Sequence, residues 1–327
     1  MVFGVAQIIL GLLAALVVPL IALSAFIARL APGGTMPFAQ VISGAIFYAF
    51  IAALLLALGI GSVRMKRWAR ALTLVTSCYW LILGTLGTVW LTAALPVAMK
   101  TALAQAQRTS AETSSPEITT GVMAVIITVM IVFFALFLVV VPIAFVIFYS
   151  RDDVAETCRH RDPVARWTDR APLPVLGASV AFFALSLRGL ITGVTAPMFP
   201  FFGHYLTGIP AAAVLLAFAA LDLYLAVALL RLRLSGWWIA IITSSLRTLA
   251  VAFSYSRAGL MQAFSKMGWS DEQINTLNSS PLLRSRVSLW WSIILMVAFF
   301  GYLLWLKRYF KTTEAPNPPQ ALPAQAG

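Results

Sequence analysis

Charged side chains are scarce in this chain and make up only 10% of its 327 residues. Water-soluble domains carry about 25% charged residues, so the shortfall excludes an ordinary soluble fold. The charges are also uneven, because 23 Lys and Arg face 11 Asp and Glu and leave a net charge of +12. No basic helix or aromatic platform of the kind that binds nucleic acid accompanies this excess. We therefore predict no nucleic-acid partner.

Cysteine and histidine are nearly absent, with two of each in the whole chain. Cys78 lies in an apolar run and Cys158 in a charged segment, so a disulfide framework is not expected. Cys158 and His160 are close in sequence, but a structural zinc site needs four ligands, usually in paired clusters. The sequence has no Gly-rich phosphate loop, HExxH or nucleophile elbow. We expect no metal, no cofactor and no catalytic residue.

Long apolar runs are what the sequence does have, since 61% of its residues are hydrophobic and the mean hydropathy is +0.92. Runs of about 18 or more residues with few charges are typical of membrane-spanning helices. The alternating polarity of a transmembrane β-barrel is absent. We predict an all-α polytopic integral membrane bundle of about eight helices. The predicted spans lie near residues 3–28, 40–62, 71–95, 121–148, 173–196, 207–230, 236–255 and 287–306.

The first apolar run also invites interpretation as a signal peptide. No Lys or Arg precedes it, and it is longer than the usual apolar region of about 7–15 residues. We therefore count it as a spanning helix and keep cleavage after Ser24 as the alternative.

The basic residues predict the orientation in the membrane. Fourteen Lys and Arg fall in the loops on one side and seven in those on the other. Lys and Arg are retained on the cytoplasmic side during insertion, so both termini are predicted to be cytoplasmic.

Trp68, Trp167, Trp237 and Trp238 flank the basic turns. Indole rings favour the headgroup level, so we expect these four to anchor the helices at that depth.

Short matches in the same order predict two copies of a four-helix unit. MPF at 36–38 and MFPF at 198–201 precede the second and sixth helices. VRMKRWARALTLVTS at 63–77 resembles LRLRLSGWWIAIITS at 230–244, and Ser-Ser-Pro precedes the fourth and eighth helices. A four-helix unit returns the chain to its starting side, so the copies should be parallel repeats about an axis along the membrane normal.

The same pattern divides the chain into four segments. Two four-helix membrane repeats flank a charged cytoplasmic linker, and a Pro- and Ala-rich segment without periodicity forms a disordered tail. In that order, the repeat, linker, repeat and tail occupy residues 1–150, 151–172, 173–311 and 312–327.

Three ionisable residues lie well inside predicted spans: Arg188, Asp222 and Arg247. An isolated charge at the bilayer centre costs about 2.5–3.5 kcal/mol on insertion scales. At about 1.5 Å per residue, Asp222 and Arg247 lie roughly 13 and 16 Å from the cytoplasmic side, on consecutive helices. We predict that they form an ion pair.

Arg188, roughly 22 Å from that side, has no acid left to neutralise it. One interpretation is that it reaches the outer headgroups or bonds to backbone carbonyls. The other is that it lines a cavity, with Tyr224 nearby, and binds an anion such as a lipid phosphate or a carboxylate. The candidate ligand-binding residues are therefore Arg188, Asp222, Arg247 and Tyr224.

The outer connection before the last helix carries apolar residues at helical spacing. GWSDEQINTL at 268–277 has the start of a capped helix, and a further apolar stripe precedes it. We expect interfacial amphipathic helices on the outer surface. They either cap the bundle or form a docking surface for a protein partner, with Leu260, Phe264 and Trp269 as its contact residues.

The densest polar stretch, residues 151–177, holds five arginines and five acids. Their charges nearly cancel, so this is not a simple polybasic lipid anchor. Arg166 and Asp169 are three residues apart and close enough to pair on a helical turn. Pro172 and Pro174 suit the first turn of the fifth helix. The stretch is either a self-satisfied linker or a second surface for a protein partner.

Within this stretch, TCRHRDPVARWTDRAPLPVLG resembles a segment of a family of uncharacterised bacterial polytopic membrane proteins. GWWIAIITS and MGWSDEQI are similar to other segments of the same family, and the resemblance covers most of the chain except the tail. The family often has cysteine where this chain has Ala171. The resemblance implies a multi-pass protein of the bacterial inner membrane and implies no particular activity.

These observations favour a non-catalytic inner-membrane protein that acts by interaction and is surrounded by membrane lipid. A transporter or lipid-binding protein with an anion site in the second repeat is the first alternative. An intramembrane enzyme acting on lipid-linked substrates is the second.

Overall fold

A computed structural model describes residues 2–30, 38–109, 116–257, 262, 265–266, 274–275 and 285–310. Within these residues, eight helices are long and apolar enough to cross a membrane, which confirms the predicted all-α polytopic bundle. The chain is a multi-pass membrane protein. The spans are Val2–Ile27, Val41–Val63, Arg67–Val89, Val125–Ser150, Leu173–Thr195, Gly208–Leu230, Leu234–Ser254 and Ile293–Phe310.

The helices extend beyond some of these spans, and a short helix precedes the fifth. We call the end of the bundle beside residues 151–172 the linker side. In chain order the α-helices are α1 Val2–Leu30, α2 Phe38–Val63, α3 Arg67–Thr109, α4 Pro116–Ala135, α5 Val141–Ser150, α6 Asp152–Arg161, α7 Leu173–Thr195, α8 Gly208–Leu230, α9 Leu234–Arg257 and α10 Ser285–Phe310.

A two-stranded antiparallel hairpin joins α7 to α8. Its strands are β1 Met198–Phe201 and β2 His204–Thr207. Phe202 and Gly203 form the turn with φ of 39° and 95°. Positive φ at both central residues matches the right-handed twist of the strands. The hairpin lies at the end of the bundle opposite the linker side.

Helices α1 and α2 pack along their length through glycines. A Cβ on Gly59 would lie 2.7 Å from Ile8 Cγ1, and one on Gly11 would lie 2.9 Å from Leu56 Cγ. In lipid, where burial of apolar surface does not drive helix association, small residues let backbones approach and gain dispersion energy.

Helices α7 and α8 form a second close pair and add hydrogen bonds between the helices. The hydroxyl of Ser179 donates to the Ala226 carbonyl at 2.7 Å, and that of Ser186 donates to the Ala219 carbonyl at 2.7 Å. A serine that bonds to the neighbouring helix satisfies its hydroxyl without water. The two bonds fix the register of α7 against α8.

The main core lies on the linker side of α7, α8, α9 and α10. Trp237 is 1% exposed and donates its indole N–H to the Leu303 carbonyl at 2.7 Å. The expectation of a headgroup anchor is therefore wrong for Trp237, whose ring fills the core, whereas Trp238 is half exposed. Helix α3 joins this core because the Tyr79 hydroxyl donates to the Gly177 carbonyl at 3.0 Å.

The fourth span is interrupted by a π-helical turn, Leu136–Val140, between α4 and α5. Pro142 follows it and lacks the N–H that would bond to the Leu138 carbonyl in an α-helix. A Cβ on Gly84 of α3 would overlap that carbonyl oxygen. Glycine at position 84 therefore makes room for the backbone that the proline and the π turn displace.

The turns from α2 to α3 and from α8 to α9 have the same backbone geometry. Met65 and Leu232 both have φ of 53°. The next residue in each turn, Lys66 or Arg233, donates its N–H to the carbonyl five residues earlier, at 2.9 and 3.1 Å. A 6→1 bond after a residue with positive φ is the Schellman ending of a helix.

Two predicted features lie outside the described residues. These are the tail, 312–327, and the outer contact residues Leu260, Phe264 and Trp269.

Candidate functional site

The structure brings Asp222 of α8 and Arg247 of α9 together as the predicted ion pair. Nη2 of Arg247 lies 3.0 Å from both carboxylate oxygens of Asp222, which is 2% exposed. From the helix bounds, Asp222 and Arg247 lie roughly 12 and 20 Å from the linker side. Side chains lean toward the N-terminus of their helix, so on these antiparallel helices the two converge from different depths.

Two aromatic rings from the hairpin side complete the surroundings of this pair. The guanidinium carbon of Arg247 lies 4.5 Å from the centre of the Phe218 ring, and Phe218 stacks on Phe199 of β1 at 5.5 Å. The negative face of an aromatic ring attracts a cation, most strongly away from water. Phe218 is four residues before Asp222 and therefore on the same face of α8. That spacing is the one sequence feature from which the contact of Phe218 with the ion pair could have been predicted.

The hairpin itself is fixed over α9. The Ser254 hydroxyl, fully buried, accepts a hydrogen bond from the Gly203 N–H at 3.1 Å. The hairpin therefore covers the ends of α8 and α9 above the ion pair.

Arg188 and Tyr224 are not brought to the pair. Arg188 is exposed on α7 and forms no side-chain hydrogen bond or salt bridge with the part of the chain that the structure describes. Ser186 faces α8, and two further residues turn a helix by about 200°, so Arg188 points away from α8. Tyr224 is 45% exposed and lies two residues from the buried Asp222. A ligand-binding role for these four residues stays a prediction.

The charged linker is folded against the turn between α2 and α3. Asp162 follows α6 and has a side chain only 4% exposed. Its carboxylate lies 3.6 Å from Nζ of Lys66 and 3.3 Å from Nη2 of Arg166. Burial opposes ionisation, but the hydrogen bond from Arg166 and the charges of Arg166 and Lys66 outweigh it and lower the pKa of Asp162.

Asp169 forms the second contact between the linker and α3. Its Oδ2 lies 3.3 Å from Nε of Arg67 and accepts the backbone N–H of Arg166 at 2.8 Å. The expected pairing of the Arg166 and Asp169 side chains is therefore wrong. A 3-10 turn, Trp167–Asp169, lets the carboxylate cap its own backbone, and the Arg166 guanidinium turns to Asp162 instead.

Cys158 lies in the buried face of α6, and burial raises the pKa of its thiol. The thiol is therefore protonated at neutral pH and is a weak nucleophile. Its neighbour His160 is exposed. Among the described residues, no group of three or more His, Cys, Asp and Glu is placed to hold a metal ion.

The chain matches no family model, no curated protein and no solved structure. The resemblance to the bacterial membrane-protein family stays a prediction.

Proposed function

We propose that this is a non-catalytic protein of the bacterial inner membrane that acts by interaction, as an accessory or scaffold subunit. The observation that carries the proposal is the folded linker. Asp162 and Asp169 hold it on α3 through Lys66 and Arg67. A fixed surface of α6 remains exposed, including Glu156, which makes the linker suited to docking a protein partner.

The charges inside the membrane support the same proposal. Asp222 and Arg247 neutralise each other, and Phe218 and the hairpin close the space beside them. Asp222 is buried and Arg247 is partly buried, and their pairing supports a structural role, because leaving either charge unpaired inside the membrane is costly.

We further propose that the chain is built from two parallel four-helix repeats. The matching turns at Met65 and Leu232 support this, since non-glycine residues rarely adopt a φ of 53°. Aligning these turns places Leu55 and Trp80 at the positions of Asp222 and Arg247. The first repeat then has an apolar pair where the second has an ion pair.

The proposed orientation places the linker side, and with it both termini, in the cytoplasm. The basic residues that pair with the linker, Lys66, Arg67 and Arg166, all lie on this side. Their retention in the cytoplasm is what the asymmetry of Lys and Arg requires.

A transporter or lipid-binding protein is the second candidate, and two observations favour it. Nε of Arg247 is buried and has no hydrogen-bond partner among the described residues. Arg188 is exposed within its span and unpaired there, where it can meet a lipid phosphate. A transporter would need a water-filled path to one of these arginines.

Labelling of an introduced cysteine by a membrane-impermeant thiol reagent separates the two candidates. Ser244→Cys lies one helical turn from Arg247 on the same face of α9, in a chain whose Cys78 and Cys158 are replaced by alanine. His204→Cys and Arg161→Cys are exposed controls at the two ends of the bundle. If the protein acts by interaction, the reagent should label Ser244→Cys from neither side of the membrane, while both controls react. Labelling at position 244 would support the transporter.

A further inference from the structure

Between α3, α6 and the start of α7 lies a cavity of about 240 Å³, and the paired side chains of Arg67 and Asp169 form part of its wall. We call it the linker cavity. Ligand pockets for drug-sized molecules enclose about 300–1,000 Å³, so this one suits a smaller group. Its lining residues include Arg67, Arg70, Arg159, Thr168, Asp169 and Leu173.

The linker cavity carries an excess of positive charge. Asp169 is already paired with Arg67. Neither Arg70 nor Arg159 forms a salt bridge within the described residues, and the neighbouring Cys158 thiol is neutral. The two guanidinium groups lie close enough to repel each other, and Asp152, which attracts Arg70, forms no salt bridge with it. An anion bound between the two groups would relieve this repulsion.

Two residues that line the linker cavity also have a buried polar atom without a partner. Oγ1 of Thr168 and Nε of Arg70 are fully buried and make no hydrogen bond with the described residues. Buried polar groups in folded proteins nearly always have partners. An unpaired hydroxyl beside unpaired guanidinium groups therefore marks a place for an oxygen-rich anion.

The position of the linker cavity identifies the anion. Arg67 and Leu173 line it, and each is the first residue of a membrane span. The cavity is therefore level with the lipid headgroups on the linker side. Both spans begin here, so the positive ends of two helix dipoles face it as well. Basic pockets between helices at this level bind the phosphates of anionic lipids.

We propose that the linker cavity binds a phosphate group through Arg70, Arg159 and Thr168. Guanidinium groups hold phosphate oxygens through paired N–H donors, and the threonine hydroxyl supplies a further donor. The group belongs either to an anionic phospholipid or to a free phosphate from the cytoplasm.

Binding to the purified full chain in maltoside micelles tests this proposal. The probes are inorganic phosphate, followed by calorimetry against chloride at equal ionic strength, and short-chain phosphatidic acid, followed by native mass spectrometry against phosphatidylcholine. Arg159→Gln removes an exposed cavity arginine, and Thr168→Val removes the buried hydroxyl. Arg161→Gln is the matched control, because Arg161 is exposed at the end of the same helix and does not line the cavity.

Arg159→Gln should weaken binding about tenfold, the loss expected when a hydrogen bond to a charged group is removed. Thr168→Val should also weaken it, and Arg161→Gln should bind as wild type does. Binding of either probe supports the site, and binding of one alone identifies the source of the phosphate. Failure of wild type to bind either probe would overturn the proposal. Equal losses in Arg159→Gln and Arg161→Gln would also overturn it, because general charge would then explain the affinity.

Discussion

Asp222 is a carboxylate within a run of apolar residues, and Arg247 explains its presence. Each residue alone would make its span costly to insert, whereas together they form a pair with two 3.0 Å contacts. Phe218 adds a face-on contact to the cation. At this scale the pair is a direct contact between α8 and α9.

Replacing either member should destabilise the protein. Asp222→Asn or Arg247→Gln should each lower the free energy of unfolding by about 2.5–3.5 kcal/mol. This is the cost of leaving the other charge without its partner inside the membrane. The double replacement by leucine should cost less than the sum of the single ones, because it leaves no charge behind. Reversible unfolding in mixed micelles measures all three.

Arg188→Gln is the matched control for this series, since it removes an arginine from a span that has no described partner. Its unfolding free energy should equal or exceed that of wild type. A loss as large as that of Arg247→Gln would show that Arg188 has a partner of its own.

The ion pair could be predicted because a charge in an apolar span is rare and two spans joined by a short turn are neighbours. Phe218 and Phe199 could not be predicted in the same way, because they are two of 21 phenylalanines and only the packing selects them. The Lys66–Asp162 contact was equally hidden, since residues distant in sequence meet there only after the bundle has folded.

At the scale of single elements, the π turn in the fourth span depends on a glycine in α3. Gly84→Ala places a methyl group against the Leu138 carbonyl, where rigid backbone cannot give way. Overpacking of this kind costs about 1–3 kcal/mol. The same unfolding assay in micelles should show that loss.

Gly87→Ala is the control on the same helix, one turn further along. A Cβ at position 87 meets nothing within 4 Å. Alanine has a higher helix propensity than glycine. The free energy of unfolding of Gly87→Ala should therefore equal or slightly exceed that of wild type. Equal losses in the two variants would mean that helix flexibility, and not contact with the π turn, accounts for the effect.

The linker should detach from α3 when Asp162 loses its charge. Asp162→Asn leaves Lys66 and Arg166 without their shared acid, and Cys158 in the buried face of α6 becomes accessible. In a Cys78→Ala background, maleimide labelling of Cys158 should accelerate about tenfold, the effect of one lost charged hydrogen bond.

Asp153→Asn is the control, because Asp153 forms an exposed pair with Arg151 at 3.3 Å. Surface pairs contribute about 0–1 kcal/mol, so labelling of Cys158 should change little. Similar acceleration in both variants would contradict a special role for Asp162.

The contact of the linker with α3 should also depend on pH. The folded pKa of Asp162 is lowered, so its stabilisation is fully present above the unfolded value of about 3.9 and is lost as the pH falls through the folded value. Emission of Trp167, taken as the difference between wild type and Trp167→Phe, should stay constant above about pH 5 and change only in this acid range. A change confined to higher pH would contradict the assignment to Asp162.

At the scale of the whole molecule, the number of spans and the class of fold could be predicted, because long apolar runs report them directly. The hairpin β1–β2 was missed because four-residue strands give no periodic signal, and its partners Ser254 and Phe218 come from later helices. Trp237 was misplaced because sequence cannot tell a tryptophan at the end of a span from one in the core.

Orientation is also a property of the whole molecule. In the proposed orientation the C-terminus is cytoplasmic, because turns rich in Lys and Arg are retained on that side. A reporter that works only in the cytoplasm should therefore be active when fused after α10, and one that works only in the periplasm should be inactive there. Fusion at the hairpin, after His204, should give the opposite result. A C-terminal reporter that behaves as external would reverse the proposed topology.

Native mass spectrometry of the gently solubilised protein, beside an Arg188→Gln variant, tests most directly whether the membrane charges are structural. We expect any small anion or lipid held by wild type to remain in Arg188→Gln, and a co-purifying protein to be retained by both. A small anion or lipid that is bound to wild type and lost from Arg188→Gln would contradict this proposal. Arg188 would then be part of an anion site, and the protein a transporter or lipid-binding protein.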